Sequence, residues 1–273
     1  MPPIHKRHGF TNGYYQQEGK ISRQYETEYY QGDTAAWLLS DTNIPDNLSP
    51  EEKREAARAL KGRALRVEVY GLDSSPLALH PYTVSEAKFQ IKTIQSKGPN
   101  RHASFYVCEC ESLNYQYERN PDDPRIAHKN TLEIDTYGNP LKTAEIVYPR
   151  RNISSHPAQN QIYITYTESE FINKDQEPDF YRIGVPYSQK VYEIHGLNLN
   201  QPFDKMALKA AISGASEIPF EAIPSGNTEK RLLNFTLTSF YKDDLSGELP
   251  FGDLDFHALP LSCIRSRLHS RAY

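Results

Sequence analysis

Short segments in which apolar and polar residues alternate recur along this chain, and most of them end at clusters of Gly, Pro, Asn or Asp. Residues 63–70, with the sequence RALRVEVY, show the pattern clearly. Successive side chains of a β-strand point to opposite faces, so alternation predicts a strand with one buried face and one polar face. We predict strands over residues 63–70, 102–109, 113–118, 131–135, 142–148, 161–167, 190–195 and 233–241.

One pair of these segments indicates how the strands are connected. Residues 132–135 and 142–148 flank Tyr137-Gly138-Asn139-Pro140, which supplies the backbone freedom that a hairpin turn needs. The fold class that follows is mainly β, built from successive antiparallel hairpins with one polar face per strand.

Two short helices interrupt this pattern. Ser49, Pro50 and Glu52 form a capping-box sequence with proline at the first helical position, which predicts a helix over residues 50–61. Gly62 then ends it in a left-handed conformation. A second helix is predicted near residues 204–212, with Gly214 after its last turn.

Composition limits how such a chain buries its strands. Hydrophobic residues make up 38% of the sequence, and this share includes the 19 tyrosines. The apolar supply is therefore low for 273 residues, and tyrosine must provide much of the buried area. We therefore expect these hairpins to be completed by further β-sheet that is encoded outside this chain.

Charge and cysteine content exclude several classes of protein. The net charge is −4, which gives no bulk attraction to nucleic acid or anionic lipid. Three cysteines do not make a disulfide framework. No apolar run approaches the ~20 residues of a membrane span, and no apolar segment follows the N-terminus. We predict no membrane insertion and no signal peptide in this chain.

Candidate chemical motifs are weak. Cys108 and Cys110 lie near His102, but the third cysteine, Cys263, is distant, so we interpret the pair as ordinary strand cysteines. Glu-x-Glu pairs at residues 26/28, 109/111 and 168/170 resemble the acidic signature of arginine-directed ADP-ribosyltransferases. The Ser-Thr-Ser strand of those enzymes is absent from the sequence, so the pairs indicate polar strand faces.

The remaining polar residues are interpreted as surface groups. His80, His102, His128, His156, His195 and His257 fall beside predicted strand ends and prolines, and Arg150-Arg151 is read as a solvated charge run. Nucleophile-elbow, phosphate-loop, dinucleotide and zinc-helix motifs are absent from the sequence. We predict no catalytic, cofactor-binding or metal-binding residues, no cofactor and no enzymatic activity.

A collinear series of longer strings carries a resemblance to a known family. The strings are ISRQYETEYY (21–30), LSPEEKREAARALKGR (48–63), EVYGLD (68–73), HPYTVSE (80–86), NRHA (100–103), YQYERN (115–120) and LEIDTYGN (132–139). In this order and spacing they resemble the middle/C-terminal region of the B component (TcdB type) of bacterial Tc insecticidal toxins. Asp135-Thr136-Tyr137-Gly138-Asn139 is similar to the Asp-x-x-Gly turn of an RHS/YD repeat.

The resemblance implies a structural role. In that family the B and C components close into a hollow β-sheet shell of the RHS-repeat type around a toxic polypeptide, in a secreted complex. The implied partners are the remainder of the B component, the C component and the enclosed toxin polypeptide. Residues that release the toxin belong to the C component, so the resemblance assigns no catalytic position here.

The resemblance also implies a domain organisation. Residues 1–150 correspond to the TcdB middle/C-terminal-like region, and residues 151–273 to the strands that follow it, with an atypical basic tail at 263–273. We expect the chain to be a fragment of a longer component. A surface-adhesive or carbohydrate-binding β module is the alternative function, and a hydrolase or transferase on a β scaffold is a less favoured one.

Overall fold

The computed structural model describes residues 3–15, 20–42 and 44–267, and the side chains as far as residue 261. It confirms the predicted fold class, because this part of the chain contains eleven mostly antiparallel strands and two α-helices. The elements are β1 (Ile4–Phe10), α1 (Pro50–Ala59), β2 (Ala64–Gly71), β3 (Thr83–Gln95), β4 (Ser104–Gln116), β5 (Arg125–Ile134), β6 (Pro140–Val147), β7 (Tyr163–Glu177), β8 (Phe180–His195), α2 (Lys205–Ser213), β9 (Ser216–Ile218), β10 (Glu229–Phe240) and β11 (Pro260–Arg267).

The chain divides into two compact units. The first consists of Met1–Asn130 and Ile146–Ile162, and the second of Thr131–Glu145 and Tyr163–Tyr273. These units describe packing within the chain. The boundary at residue 150, which rests on the family resemblance, stays a prediction.

In the first unit, strands β1 to β4 follow one another as antiparallel neighbours. Their register places Phe89, Ile91 and Val107 on one face, where they pack with α1 and with Leu65. Leu113 and Tyr115 lie on the opposite face. The switch between faces occurs at a β-bulge, because the register skips Cys110 between Glu109 and Glu111.

Helix α1 starts at the predicted residue and ends at Ala59, two residues earlier than predicted. The Ser49 hydroxyl accepts a hydrogen bond from the backbone N–H of Glu52, and the Glu52 carboxylate accepts one from the backbone N–H of Ser49. Gly62 has the expected left-handed backbone, with φ of 80°. Ala56, Ala57 and Leu60 at the end of the helix are almost completely buried against the strands. The capping box therefore fixes where the helix enters the core.

Replacing Ser49 with Ala is expected to lower the free energy of unfolding by about 1 kcal/mol, because the Glu52 N–H loses its acceptor. Urea denaturation followed by circular dichroism measures the change. The matched control is Ser49→Gly, which is expected to cost only a few tenths of a kcal/mol, since water can reach an uncapped glycine position. Equal losses in the two variants would contradict the capping role.

In the second unit, β7 and β8 form a hairpin whose strands are joined at Pro178-Asp179. Strand β10 pairs with β8 and β11, and β9 lies parallel to β10. Helix α2 begins after Asp204, whose carboxylate accepts from the N–H groups of Met206 and Ala207, and it ends at Gly214 as predicted. The core here contains Ile172, Phe240, Leu249 and Leu254.

Several predicted strands are shorter than the observed ones. The predicted segments 102–109 and 113–118 belong to the single strand β4, and 161–167 and 190–195 are only the outer parts of β7 and β8. Strands β1, β3, β9 and β11 were not predicted. None of the described helices is long and apolar enough to cross a membrane.

Candidate functional site

The most extensive polar arrangement in the first unit lies beneath residues 20–42, which we call the covering segment. Its only regular structure is a 3-10 turn at Glu26–Glu28. A segment without regular structure must satisfy its backbone N–H and C=O groups by other means. Side chains of β2, β3 and β4 supply such partners at Tyr30, Leu39 and Trp37, so polar contacts help to bind the covering segment to the strands.

A buried charge cluster lies at the centre of this face. The Arg66 guanidinium donates through Nε to the Glu68 carboxylate at 2.7 Å and through Nη1 to the Glu86 carboxylate at 2.9 Å. Arg66 is 5% exposed and Glu68 is 2% exposed. Two carboxylates around one guanidinium leave a net negative charge, which the neighbouring backbone N–H dipoles stabilise.

The covering segment provides those dipoles. The Tyr30 N–H donates to Glu68 at 2.9 Å, and the Leu39 N–H donates to Glu86 at 3.0 Å. The Tyr70 hydroxyl donates to the second Glu68 oxygen at 2.7 Å. Desolvation outweighs the opposing effect of Arg66 and raises the pKa of Glu86. The cluster thus ties two points of the covering segment to β2 and β3.

A row of aromatic residues continues this face. The Tyr115 hydroxyl accepts from the Trp37 N–H at 2.8 Å and donates to the Trp37 carbonyl at 3.1 Å. The Tyr117 hydroxyl donates to Asp33 at 2.8 Å, and Arg151 forms a bidentate ion pair with the same carboxylate. Burial raises the pKa of both tyrosines. Trp37 packs edge-on against Tyr148.

Two interpretations from the sequence are wrong here. Arg150 and Arg151 are not a solvated charge run, because they pair with Asp123 and Asp33. His128 is not a surface histidine: it is 1% exposed, and its ring nitrogens lie 3.0 Å from the Tyr148 hydroxyl and 2.9 Å from Glu111. Strand β5 begins before His128, so the residue lies within a strand. Interpretation as a surface group holds for His102 and His257, which are more than half exposed.

The two cysteines interpreted as ordinary strand residues both lie on β4. Cys108 is partly buried and Cys110 is buried at the bulge of β4, and neither forms a disulfide. Throughout the residues that the structure describes, no group of three or more His, Cys, Asp or Glu side chains is placed to hold a metal ion. The side chain of Cys263 lies outside the described ones.

The predicted hairpin turn is present in the second unit. The Asp135 carboxylate accepts from the N–H groups of Tyr137 and Asn139 and from the side-chain amides of Asn139 and Asn173. Burial alone would raise the pKa of Asp135, but these hydrogen bonds lower it below its ordinary value. Gly138 has φ of 89°, the left-handed conformation that the turn requires.

Replacing Asp135 with Asn is expected to reduce the acid sensitivity of the second unit. The folded state lowers this pKa, so ionised Asp135 stabilises the fold above the unfolded-state pKa, and the contribution is lost as pH falls through the folded-state pKa. The wild type should exceed D135N in free energy of unfolding at pH 6, and the difference should shrink below about pH 4. Urea denaturation across this range measures it, with Asp179→Asn as an exposed control. If the two proteins differed in free energy of unfolding by the same amount at every pH, the lowered pKa of Asp135 would be contradicted.

An open cleft of about 540 Å³ adjoins the charge cluster at the edge of the first unit. Its lining includes Arg7 and Gly9 from β1, Tyr25 and Tyr29 from the covering segment, and Arg66 from β2. The Arg66 guanidinium stacks on the Tyr29 ring at 4.9 Å, and burial raises the pKa of Tyr29 to about 12. Aromatic faces and guanidinium groups therefore line this cleft.

The carboxylates of the charge cluster are hydrogen-bonded to other groups of the protein. Both oxygens of Glu68 accept hydrogen bonds, and both oxygens of Glu86 do so as well. Each of these four oxygens binds a protein donor, so the two carboxylates link the covering segment to β2 and β3. The arrangement supports attachment of the covering segment. The sequence showed the Arg66, Glu68 and Tyr70 alternation but gave no sign that this face is covered.

Comparison with known proteins agrees with this fold. Residues 55–185 match the family described as insecticide toxin TcdB middle/C-terminal region. A crystal structure of TcdB2-TccC3 without its hypervariable C-terminal region is similar, with TM-score 0.72, 25% identity, 95% coverage of this chain and 13% of that chain. A Photorhabdus luminescens Tc holotoxin pore structure shares the fold, with TM-score 0.73, 24% identity and coverage of 95% and 12%. No curated protein matches the chain by sequence.

The fold defines a mainly β protein with a largely antiparallel sheet. The matches support a structural component of a toxin. More particularly, the chain resembles the middle/C-terminal region of a TcdB-type B component, which confirms the resemblance inferred from the sequence. It spans about 13% of the solved chains that it matches.

Proposed function

We propose that this chain is a non-catalytic structural segment of a Tc-type toxin B component, which contributes to a hollow β shell around a toxic polypeptide. Its partners are the remainder of the B component, the C component and the enclosed polypeptide, and its setting is a secreted toxin complex. The likeness to solved TcdB2-TccC3 complexes over 95% of the chain supports this role.

The observation that carries the proposal is that the charged side chains beneath the covering segment bind neighbouring groups of the protein. Arg66 and Glu68 are buried, the Glu86 side chain is 14% exposed, and each is bound by neighbouring protein groups. A fully hydrogen-bonded polar face of this kind rigidifies a wall. The strands of β7 and β8, at 15 and 16 residues, also suit an extended sheet.

A chimera tests the containing role. The matching region of TcdB2 is replaced by this chain, and the product is co-expressed with TccC3. We expect the two components to co-purify and the hypervariable C-terminal region of TccC3 to resist added protease. Co-purification with a protease-sensitive C-terminal region would overturn the containing role. Loss of co-purification in a correctly folded chimera would overturn the partnership.

The isolated chain is expected to self-associate, because the sheet that would neighbour it in a complete shell is missing and a second copy can take its place. Large hydrophobic residues are exposed, including Ile153 at 95%, Ile223 at 92% and Leu79 at 79%. Sedimentation velocity should show species larger than the 31.3 kDa monomer, and a dye that binds apolar surface should fluoresce with it. A sharp, reversible unfolding transition of a monomer would count against a wall segment.

The adhesive alternative has a distinct test. The aromatic side chains around the cleft, Phe10, Tyr25 and Tyr29, are the feature that favours it. Binding of the purified chain to a glycan array, lost in Tyr29→Ala, would support a carbohydrate-binding module. The chimera experiment does not depend on this result.

A further inference from the structure

Glu86 connects three elements at the centre of the charge cluster. It lies on β3, in register with Arg66 of β2, whose Nη1 donates to one of its carboxylate oxygens at 2.9 Å. The other oxygen accepts the Leu39 N–H of the covering segment at 3.0 Å. A change in the charge of Glu86 therefore acts directly on the attachment of this segment.

The two carboxylates of the cluster are not equivalent. Glu86 accepts two hydrogen bonds. Glu68 accepts three, from Arg66 Nε, the Tyr30 N–H and the Tyr70 hydroxyl. The Glu86 side chain is 14% exposed and the Glu68 side chain 3% exposed. Each donor favours the ionised form of a carboxyl, and a partly exposed carboxyl can turn an added O–H toward water. Glu86 is therefore the carboxyl of the pair better suited to take up a proton.

The charges around Glu86 do not balance within the cluster. The titratable and charged groups that face it are Arg66 and Glu68 from β2, Arg23 and Tyr29 from the covering segment and Tyr115 from β4, with Lys88 and Glu111 at the next pair of positions along β3 and β4. Arg23 is exposed to solvent, and Lys88 lies 3.9 Å from Glu111. Arg66 is thus the buried cation that two carboxylates share, and desolvation raises the pKa of Glu86 although Arg66 lowers it.

Protonation of Glu86 would leave a neutral Arg66–Glu68 pair. The carbonyl oxygen of a protonated carboxyl still accepts the Leu39 N–H, so this contact is kept. Because folding raises the pKa of Glu86, the folded state binds the proton more tightly than the unfolded state does. The attachment therefore gains stability as pH falls through the folded-state pKa. The gain is complete below the unfolded-state pKa of about 4.3.

We propose that Glu86 is a proton-sensitive contact that binds the covering segment more firmly in acid, because uptake of one proton removes the uncompensated negative charge beneath the segment. At neutral pH the segment stays bound through the backbone groups of Tyr30, Leu39 and Trp37. The contacts in this argument lie within the first unit, so the inference does not depend on the containing role.

Trp37 provides a direct readout for the test. It is the only tryptophan in the sequence, it lies in the covering segment, and it packs against Tyr148. Urea titration of the full chain, followed by tryptophan fluorescence, gives the equilibrium constant for release of this residue. At one fixed urea concentration we expect this constant to be at least about threefold smaller at about pH 5 than at about pH 8. An equal or larger constant at the lower pH would overturn the proposal, and this comparison needs no variant.

Glu86→Gln isolates the carboxylate, because glutamine is uncharged at either pH and its carbonyl oxygen can accept the Leu39 N–H. The release constant of E86Q should differ by less than about twofold between the two pH values. The matched control is Glu28→Gln, an exposed change in the same segment, which should keep the wild-type dependence. An undiminished pH dependence in E86Q would overturn the proposal.

His80 is the other residue whose contribution must be separated. Its Nδ1 lies 2.7 Å from the hydroxyl of Tyr30 in the covering segment, and histidines ordinarily titrate between these pH values. His80→Gln should keep the difference of at least about threefold, because the cluster at Glu86 is intact. Loss of the pH dependence in H80Q but not in E86Q would overturn the proposal by assigning the response to the histidine.

Discussion

Replacing Arg66 with Met is expected to lower the free energy of unfolding by about 3–5 kcal/mol, because it leaves two buried carboxylates without their cation. Losses of this size are a large part of the stability of an ordinary domain. The covering segment should detach first, since Tyr30 and Leu39 are bound through those carboxylates. Urea denaturation gives the free energy, and limited proteolysis within residues 20–42 reports the detachment.

Neutralising the two carboxylates that R66M leaves without a cation separates the electrostatic effect from the loss of packing. In the triple variant R66M/E68Q/E86Q, glutamine oxygens can still accept from the Tyr30 and Leu39 N–H groups, while the unpaired negative charge is gone. We expect the triple variant to be more stable than R66M alone. The matched control is Arg101→Met, at an exposed position, with an effect within about 0.5 kcal/mol. A triple variant less stable than R66M would show that the unpaired carboxylate charges do not cause the loss of stability in R66M.

Replacing Leu60 with Ala is expected to cost about 2–5 kcal/mol and to lower the thermal midpoint of the first unit. Leu60 is 1% exposed and packs with Ala56, Ala57 and Leu65 at the end of α1. Its removal leaves a cavity between the helix and the strands, and the lost contacts are not replaced by water.

Leu79→Ala provides the matched control for this core substitution. Leu79 is 79% exposed, so the same change in side chain removes little buried area and should alter stability by less than about 0.5 kcal/mol. Differential scanning calorimetry of both variants makes the comparison. Similar midpoints for the two would contradict the central position of Leu60 in the core.

Local signals predicted the helices and the hairpin turn well. The capping box at Ser49 and the glycines at 62 and 138 act through neighbouring backbone groups, and those interactions are present in the structure. A cap or a turn depends on a few residues adjacent in sequence, so its physics can be read without the rest of the chain.

The extents of the strands were predicted less well. The bulge at Cys110 reverses which residues of β4 point to each face of the sheet. The alternation of side chains is therefore interrupted, and one continuous strand looks like two segments in the sequence. In β7 and β8, residues 168–177 and 180–189 pair through their backbones although their side chains do not alternate regularly between apolar and polar. Pairing with a partner strand satisfies the backbone whatever the side-chain pattern.

The sequence by itself determined the alternation of Arg66, Glu68 and Tyr70 along one side of β2, the caps of the helices and the family that the chain resembles. Only the tertiary structure decided that this charged side is buried beneath residues 20–42 and that His128 and Arg151 are paired inside the first unit. The physical reason is that alternation separates the two faces of a strand but does not reveal what covers each face. A charged face is stable in water or beneath a distant segment that supplies matching donors, and that choice depends on contacts far apart in sequence.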